Sequence, residues 1–410
     1  MSTHNTPVEP VVEDQPVVVV APRPGPARLP DELILMVIEW CNALVKDRLK
    51  TLSALGRLNK RFKSDVERHL YSRVALSDEL ADVSAAAGAM RDVLVRRPSL
   101  RRLVQAVDLS SARRRRWMAG DYRIAQVLED LPAVSDITCR GDWVKFAEVI
   151  LSNHVLQIRR FEAYDVGYLD TFSLVGVNRA AFATLQSLSL SSADVLWDLQ
   201  HFDVGHDIKT LELITLGGDH ELDPLTSAFA DNLTRLTLPV SAGLAACNPA
   251  LYPSLLHLSL SSDDIDVVAV RQAISGVVTF LAAAAQLASL VSLEWHCTSA
   301  PPDDGGPGNK LAVTLVAPSP VTNAILAAVP RQSRHLSLVT NCFAPADVTA
   351  YLSDDAQRPS QLATLRIGGP LGRGLGRILY GEVEVEGVEG LCGALAGVLE
   401  RAGVEVTTVE

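Results

Sequence analysis

Residues 255–265 read LLHLSLSSDDI, and their spacing decides the fold. Leu258 and Leu260 are two apart, with Leu255 three residues ahead of them. Polar residues fill the places between, which is the alternation of a strand with one buried face. Asp263 then supplies a side chain that can bond exposed backbone at a turn, two residues before apolar Ile265. The unit recurs at Val134/Ile137/Cys139, Ile158/Phe161/Ala163, Leu185/Leu188/Leu190, Ile208/Leu211/Leu213 and Leu233/Leu236/Leu238. Further copies are Leu290/Leu293/Trp295 and Leu362/Leu365/Ile367. Val107/Leu109 and Leu336/Leu338 read as copies without a clear leading residue, and the turn reappears as Asn341-Cys342-Phe343. Between the middle positions from Ile137 to Leu258 the intervals are 24, 27, 23, 25 and 22 residues.

A period of about 20–29 residues with this pattern is that of leucine-rich repeats. It predicts an α/β solenoid over residues 78–410, a curved parallel sheet with outer helices. Composition agrees: 48% of residues are apolar and only 5% aromatic, so aliphatic layers supply the interior. Intervals of 35 residues to Leu293 and 43 more to Leu336 exceed one repeat. The second holds Pro301-Pro302-Asp-Asp-Gly-Gly-Pro-Gly308 and apolar Leu311–Val316, read as a loop or hairpin inserted at about 299–320. Gly381–Gly387 and Val404–Val409 are candidate extra strands. Gln272–Leu293 carries no charge over a length that could span a bilayer. Its alanines, scattered polar residues and closing repeat strand make it a buried repeat helix instead.

Residues 1–27 hold six prolines and few packing residues other than valine, the composition of a disordered tail. Residues 28–77 read as a helical module. A first helix starts at Pro30-Asp31, a second runs from about Asp47 to Leu58, and a third passes through Val66 and Leu70-Tyr71. Three short helices bury too little to be very stable alone.

Residues 29–76 resemble the F-box, the adaptor-binding module of Skp–Cullin–F-box ubiquitin ligases. The resemblance is carried by Leu29-Pro30-Asp31-Glu32-Leu33, Val37-Ile38, the Leu52/Leu55/Leu58 helix, Asn59-Lys60-Arg61-Phe62 and the closing Leu70-Tyr71. Trp40-Cys41-Asn42-Ala43 stands where that family has a more aliphatic helix end. The resemblance implies a non-catalytic substrate receptor, with no cofactor and no metal. Leu29, Pro30, Leu33, Ile34, Val37, Ile38, Leu55, Leu58 and Phe62 would then contact a Skp-type adaptor and, through it, a cullin. Lys46, Arg48, Lys50, Arg57, Lys60, Arg61 and Lys63 would favour an acidic partner surface. The alternative is a leucine-rich repeat scaffold or regulatory interaction module without a ligase.

A protein substrate would meet the concave strand face, where residues between the buried ones point outward. Candidates are Arg160, Glu162, Tyr164, Glu212, Arg235, His257, Glu294, His296, His335 and Arg366, beside smaller Ser187, Ser189, Thr210, Thr237, Ser259 and Thr364. Net charge is −11, divided as +6 over residues 1–125 and −17 over residues 126–410. An acidic body argues against general nucleic-acid binding. The six cysteines (41, 139, 247, 297, 342, 392) show no paired spacing, so reduced thiols in a cytoplasmic or nuclear protein are expected. Val17–Ala21 is too short for the apolar core of a secretory signal.

Other motifs read as structural. Arg113–Arg116 with Trp117 is a solvated loop, and the glycine-rich run 368–376 lacks the lysine and hydroxyl of a phosphate-binding loop. His201 and His206 do not share a helix face. No serine or cysteine sits in a nucleophile turn, so no catalytic residue is expected.

Overall fold

The computed structural model describes Met36, Ile38 and residues 48–58, 63–75, 92–109, 131–140, 156–164, 179–192, 207–215, 229–263, 267–298, 319–340, 343–368 and 389–408. The chain divides into two units, Met1–Leu70 and Tyr71–Glu410. The tail at 1–27 and the expected insertion up to residue 318 lie outside the described residues, as do Gly381–Gly387.

In the second unit each repeat copy becomes a strand, and Arg73–Ala75 and Glu405–Thr408 add one at either end. They are β1 (Arg73–Ala75), β2 (Ala106–Leu109), β3 (Asp136–Arg140), β4 (Arg160–Tyr164), β5 (Ser187–Ser192) and β6 (Thr210–Thr215). The rest are β7 (Arg235–Pro239), β8 (His257–Asp263), β9 (Ser292–Thr298), β10 (His335–Thr340), β11 (Thr364–Ile367) and β12 (Glu405–Thr408). The twelve form one sheet in strict sequence order. Every pairing is parallel. This is the α/β architecture of a leucine-rich repeat solenoid.

Register stacks the apolar positions into two layers. Val107, Ile137, Phe161, Leu188, Leu211, Leu236, Leu258, Leu293, Leu336 and Leu365 form the first. Cys139, Ala163, Leu190, Leu213, Leu238, Leu260, Trp295, Leu338 and Ile367 form the second, and both are buried. Trp295 stacks on Phe343, with centroids 5.3 Å apart, and Phe161 meets Phe182 edge-on at 5.7 Å. A backbone ladder sets this register. The carbonyl just before each strand accepts two successive N–H groups from the next repeat. For Arg159 the donors are Gln186 at 2.9 Å and Ser187 at 3.0 Å, and the fork recurs from Ser72 to Arg334.

Connections change character along the solenoid. Between β7 and β8 the chain makes two 3-10 turns, Ala242–Ala246 and Pro249–Leu251. Later repeats are longer and hold α-helices: α3 (Val267–Ala284), α4 (Ser319–Ala327), α5 (Pro345–Ser353) and α6 (Glu389–Arg401), numbered after the two helices of the first unit. Each buries residues at helical spacing, such as Val277, Phe280, Leu281 and Ala284 of α3 or Cys392, Leu395 and Leu399 of α6. Gln272–Leu293 is therefore the end of a repeat helix and the start of β9. Among the described residues no helix is long and apolar enough to cross a membrane. After α6, Gly403 adopts φ 67°. Its N–H donates to the Glu400 carbonyl, and that of Val404 donates to the Leu399 carbonyl, both at 3.0 Å. A left-handed residue closed in this way is the usual glycine stop of a helix. It delivers the chain into β12.

The structure revises two expectations. Arg73–Ala75, read as part of the 28–77 helical module, pairs with β2 as the first strand of the sheet. The β2 copy does have a leading residue, fully buried Val104. The β10 copy keeps no apolar leading residue: that position is Ser333, also fully buried, whose hydroxyl has no hydrogen-bond partner among the described residues.

In the first unit, α1 (Arg48–Leu58) and α2 (Lys63–Tyr71, which runs one residue past the unit boundary) follow the expected second and third helices. Ile38, Leu52 and Val66 form the buried centre, with Leu55 and Leu70 against them.

Two substitutions test the stacking. A Cβ on Gly368 would lie 2.9 Å from Val339 Cγ1 and 3.3 Å from its Cα. Gly368→Ala is expected to lower stability by about 1–3 kcal/mol through overpacking, and Leu236→Ala by about 2–5 kcal/mol through a cavity in a fully buried layer. Urea unfolding of each variant checks both values.

Candidate interaction surface

Alternation that buries one face of the sheet delivers the other to solvent. The helices pack on the buried side, so the opposite face carries the polar side chains in rows. One row reads Arg73, Ala106, Asp136, Arg160, Ser187, Thr210, Arg235, His257, Ser292, His335 and Thr364. The next reads Ala75, Asp108, Thr138, Glu162, Ser189, Glu212, then, from β8 onward, Ser259, Glu294, Ser337 and Arg366. Thr237 joins it opposite Glu212 and Ser259. All ten substrate-face candidates stand on this side of their strands, and none shares a strand face with the core.

Their engagement differs. Arg73 pairs with Asp108 across β1 and β2. Glu162 is 8% exposed; it accepts from Thr138 Oγ1 at 2.9 Å and from Arg160 Nε at 2.6 Å. That carboxylate is already neutralised, so it is held within the surface instead of being offered to a partner. Ser189 donates to Glu212 Oε2. Tyr164 Oη lies 2.9 Å from the same Ser189 hydroxyl. A serine has one hydrogen, spent on the carboxylate, so Tyr164 must be the donor. Burial, with Glu212 and Glu162 nearby, pushes the Tyr164 phenol up to about 12, which keeps that donor in place at neutral pH.

Farther along, His335 Nδ1 lies 2.7 Å from Thr364 Oγ1. His257 sits beside Arg235 in the register and two strands from His335. Burial first, then Arg235 and His335, lower its pKa against the pull of Glu294. Glu294, His296 and Arg366 are exposed on β9 and β11. Among the described residues no group of histidines, cysteines and carboxylates could hold a metal. Cys139, Cys247, Cys297 and Cys392 are buried. Burial, with Glu162 second, raises the Cys139 thiol pKa.

Two contributors escaped the sequence reading. Thr138 gives no signal until the register sets it opposite Glu162. Ile214 follows the same alternation as Thr210 and Glu212 yet is a large apolar side chain, 44% exposed; an apolar residue at an outward position was the available clue.

Of the adaptor-contact set, Ile38 is fully buried beside Leu52 and Val66. It packs at the centre of the helical unit. Leu55 is half-buried, and Met36, not in that set, is 62% exposed. Leu29, Pro30, Leu33, Ile34, Val37 and Phe62 lie outside the described residues, and so does the side chain of Leu58.

No protein-family model matches the chain, and no curated protein sequence matches it. Among solved structures, the leucine-rich repeat-containing protein LegL7 from Legionella pneumophila is similar, at 15% identity and a TM-score of 0.41. The match covers 82% of this chain and 89% of LegL7.

Two measurements probe the surface chemistry. An unfolded histidine titrates near 6.5 and folded His257 lower. The unfolded chain therefore takes the proton first, and stability falls as pH drops from near 6.5 through the folded midpoint. Imidazole NMR is expected to give a His257 midpoint below 6.5 that Arg235→Gln raises. Cys139 is expected to resist iodoacetamide in the native chain and to label fully in urea, read by mass spectrometry.

Proposed function

We propose that this chain is a non-catalytic substrate-recognition adaptor of a Skp–Cullin–F-box ubiquitin ligase. The fold supports a protein–protein interaction scaffold, because a sheet buried on one face presents an uninterrupted polar row on the other. The observation that carries the finer reading is the pairing of two unlike units. Among its described residues a short helical unit buries Ile38, Leu52 and Val66 at its centre, and it precedes a solenoid of twelve described strands. A module of three short helices gains stability by burying apolar surface on a partner. In this reading the Skp-type adaptor takes the helical unit, the cullin follows through it, and the solenoid face takes a protein substrate in the cytoplasm or nucleus. No nucleic acid, membrane or cofactor takes part.

The second reading is a repeat scaffold without a ligase. Support for it comes from Ile38, which is fully buried beside Leu52 and Val66 within the helical unit.

Capture of purified Skp-type adaptor by the full chain separates the two. Binding that Leu29→Ala/Pro30→Ala reduces at least tenfold is the expected result, a loss of about 1.4 kcal/mol or more. Absence of binding by the unaltered chain would leave the scaffold reading.

A further inference from the structure

The outward face of the sheet is polarised across its width. Where the strands begin, the ladder residues include Arg159, Lys209 and Arg334, and the first outward row includes Arg73, Arg160 and Arg235. From β1 to β11 the only carboxylate in those two rows is Asp136. The next outward row reverses the sign, with Asp108, Glu162, Glu212 and Glu294 against Arg366 alone.

Part of the positive charge is spent. Arg73 pairs with Asp108 and Arg160 with Glu162, and Arg334 Nε donates to Gln361 Oε1 at 3.4 Å. The side chains of Arg159, Lys209 and Arg235 are exposed and have no ion-pair partner among the described residues. Asp207 and Asp231, ahead of Lys209 and Arg235 in the chain, are exposed and pair with neither.

These three cations lie together. Arg159, Gln186, Lys209, Thr234 and Leu256 carry the ladder carbonyls of β4 to β8 in succession, and the Arg235 N–H donates to the Lys209 carbonyl at 2.9 Å. Neighbouring strands lie about 4.8 Å apart, so Arg159 is roughly 10 Å from Lys209 and the row is roughly 19 Å long. Leu256 ends it as an exposed apolar side chain, 38% open to solvent. An extended chain rises about 3.3 Å per residue, so about six residues cover the row. Uncompensated cations leading to an exposed leucine suit a segment with carboxylates followed by an apolar side chain. A basic segment would be repelled here. A nucleic-acid backbone would find few cations and would meet the acidic row beside them.

We propose that the strand-start margin from β4 to β8 docks an extended acidic segment of a protein partner. Its carboxylates pair with Arg159, Lys209 and Arg235, and its apolar side chain lies on Leu256. This rests on the solenoid face being the substrate surface and is independent of adaptor docking.

The test is selection of short random displayed peptides on the full chain, followed by affinity measurement with the enriched peptide. Enriched sequences are expected to share paired carboxylates and an apolar residue. Lys209→Gln/Arg235→Gln is expected to weaken the peptide about tenfold and to flatten its salt dependence. Leu256→Ser is expected to weaken it severalfold. Arg401→Gln, which removes a cation from α6 on the other side of the sheet, leaves it unchanged. Unchanged melting of each variant shows that it folds. Enrichment without shared carboxylates, no enrichment, or binding insensitive to the double variant would overturn the proposal. Displacement of the peptide by single-stranded RNA at lower concentration than by the free peptide would also overturn it. Adaptor capture by the unaltered chain separates the two failures. Adaptor binding without acidic selection sinks the margin alone, and acidic selection without adaptor binding sinks the ligase reading alone.

Discussion

One backbone interaction underlies the solenoid: the carbonyl ahead of each strand, forked to two N–H groups of the next repeat. It runs Ser72, Gln105, Ser135, Arg159, Gln186, Lys209, Thr234, Leu256, Val291 and Arg334 without a break. Because the fork ties a defined residue of one repeat to a defined pair in the next, it fixes register at the start of every strand. A slip of one residue would turn Leu188, Leu211 and Leu236 to solvent and Ser189 and Glu212 into the core. The ladder and the apolar layers therefore specify the same arrangement, and each turn of the solenoid needs only its neighbours.

That local rule explains how the chain tolerates irregular repeats. The interval from β8 to β9 is longer than those before it, yet Val291 and Ser292 donate to Leu256 at 2.9 and 3.0 Å, as their counterparts do elsewhere. The extra residues form α3 on the buried side, where Val277, Phe280 and Leu281 cover the layers. Length varies in the connections because nothing in the ladder constrains it. The solvent face stays continuous across short and long repeats alike, which makes it usable by one extended partner.

On that face the polar side chains are not equivalent. Glu162 and Glu212 occupy the same row, two strands apart, and the sequence presents them as two acidic outward positions. The register gives Glu162 an arginine from its own strand and a threonine from the previous one. It gives Glu212 a serine already fed by a tyrosine. One carboxylate is consumed by structure and the other is left with capacity, a difference set by neighbours about 24 residues distant in the chain.

By itself the sequence determined the repeat, the strand alternation and the outward set from Arg160 to Arg366, because buried and exposed positions alternate with a period that survives in the letters. It also marked α1 and α2 of the helical unit through their spacing of leucine and valine. Tertiary structure alone decided the rest. Arg73–Ala75 is a strand because β2 offers it a partner, although three residues following a helix carry no repeat of their own. Ser333 occupies a core position that no hydrophobic pattern reveals. Ile38 is interior and Met36 exposed, a choice made by Leu52 and Val66 packing from other helices. The pairings around Glu162 and Glu212 belong to this second class, since a side chain's partner across a sheet is fixed by the distance between strands and not by distance along the chain.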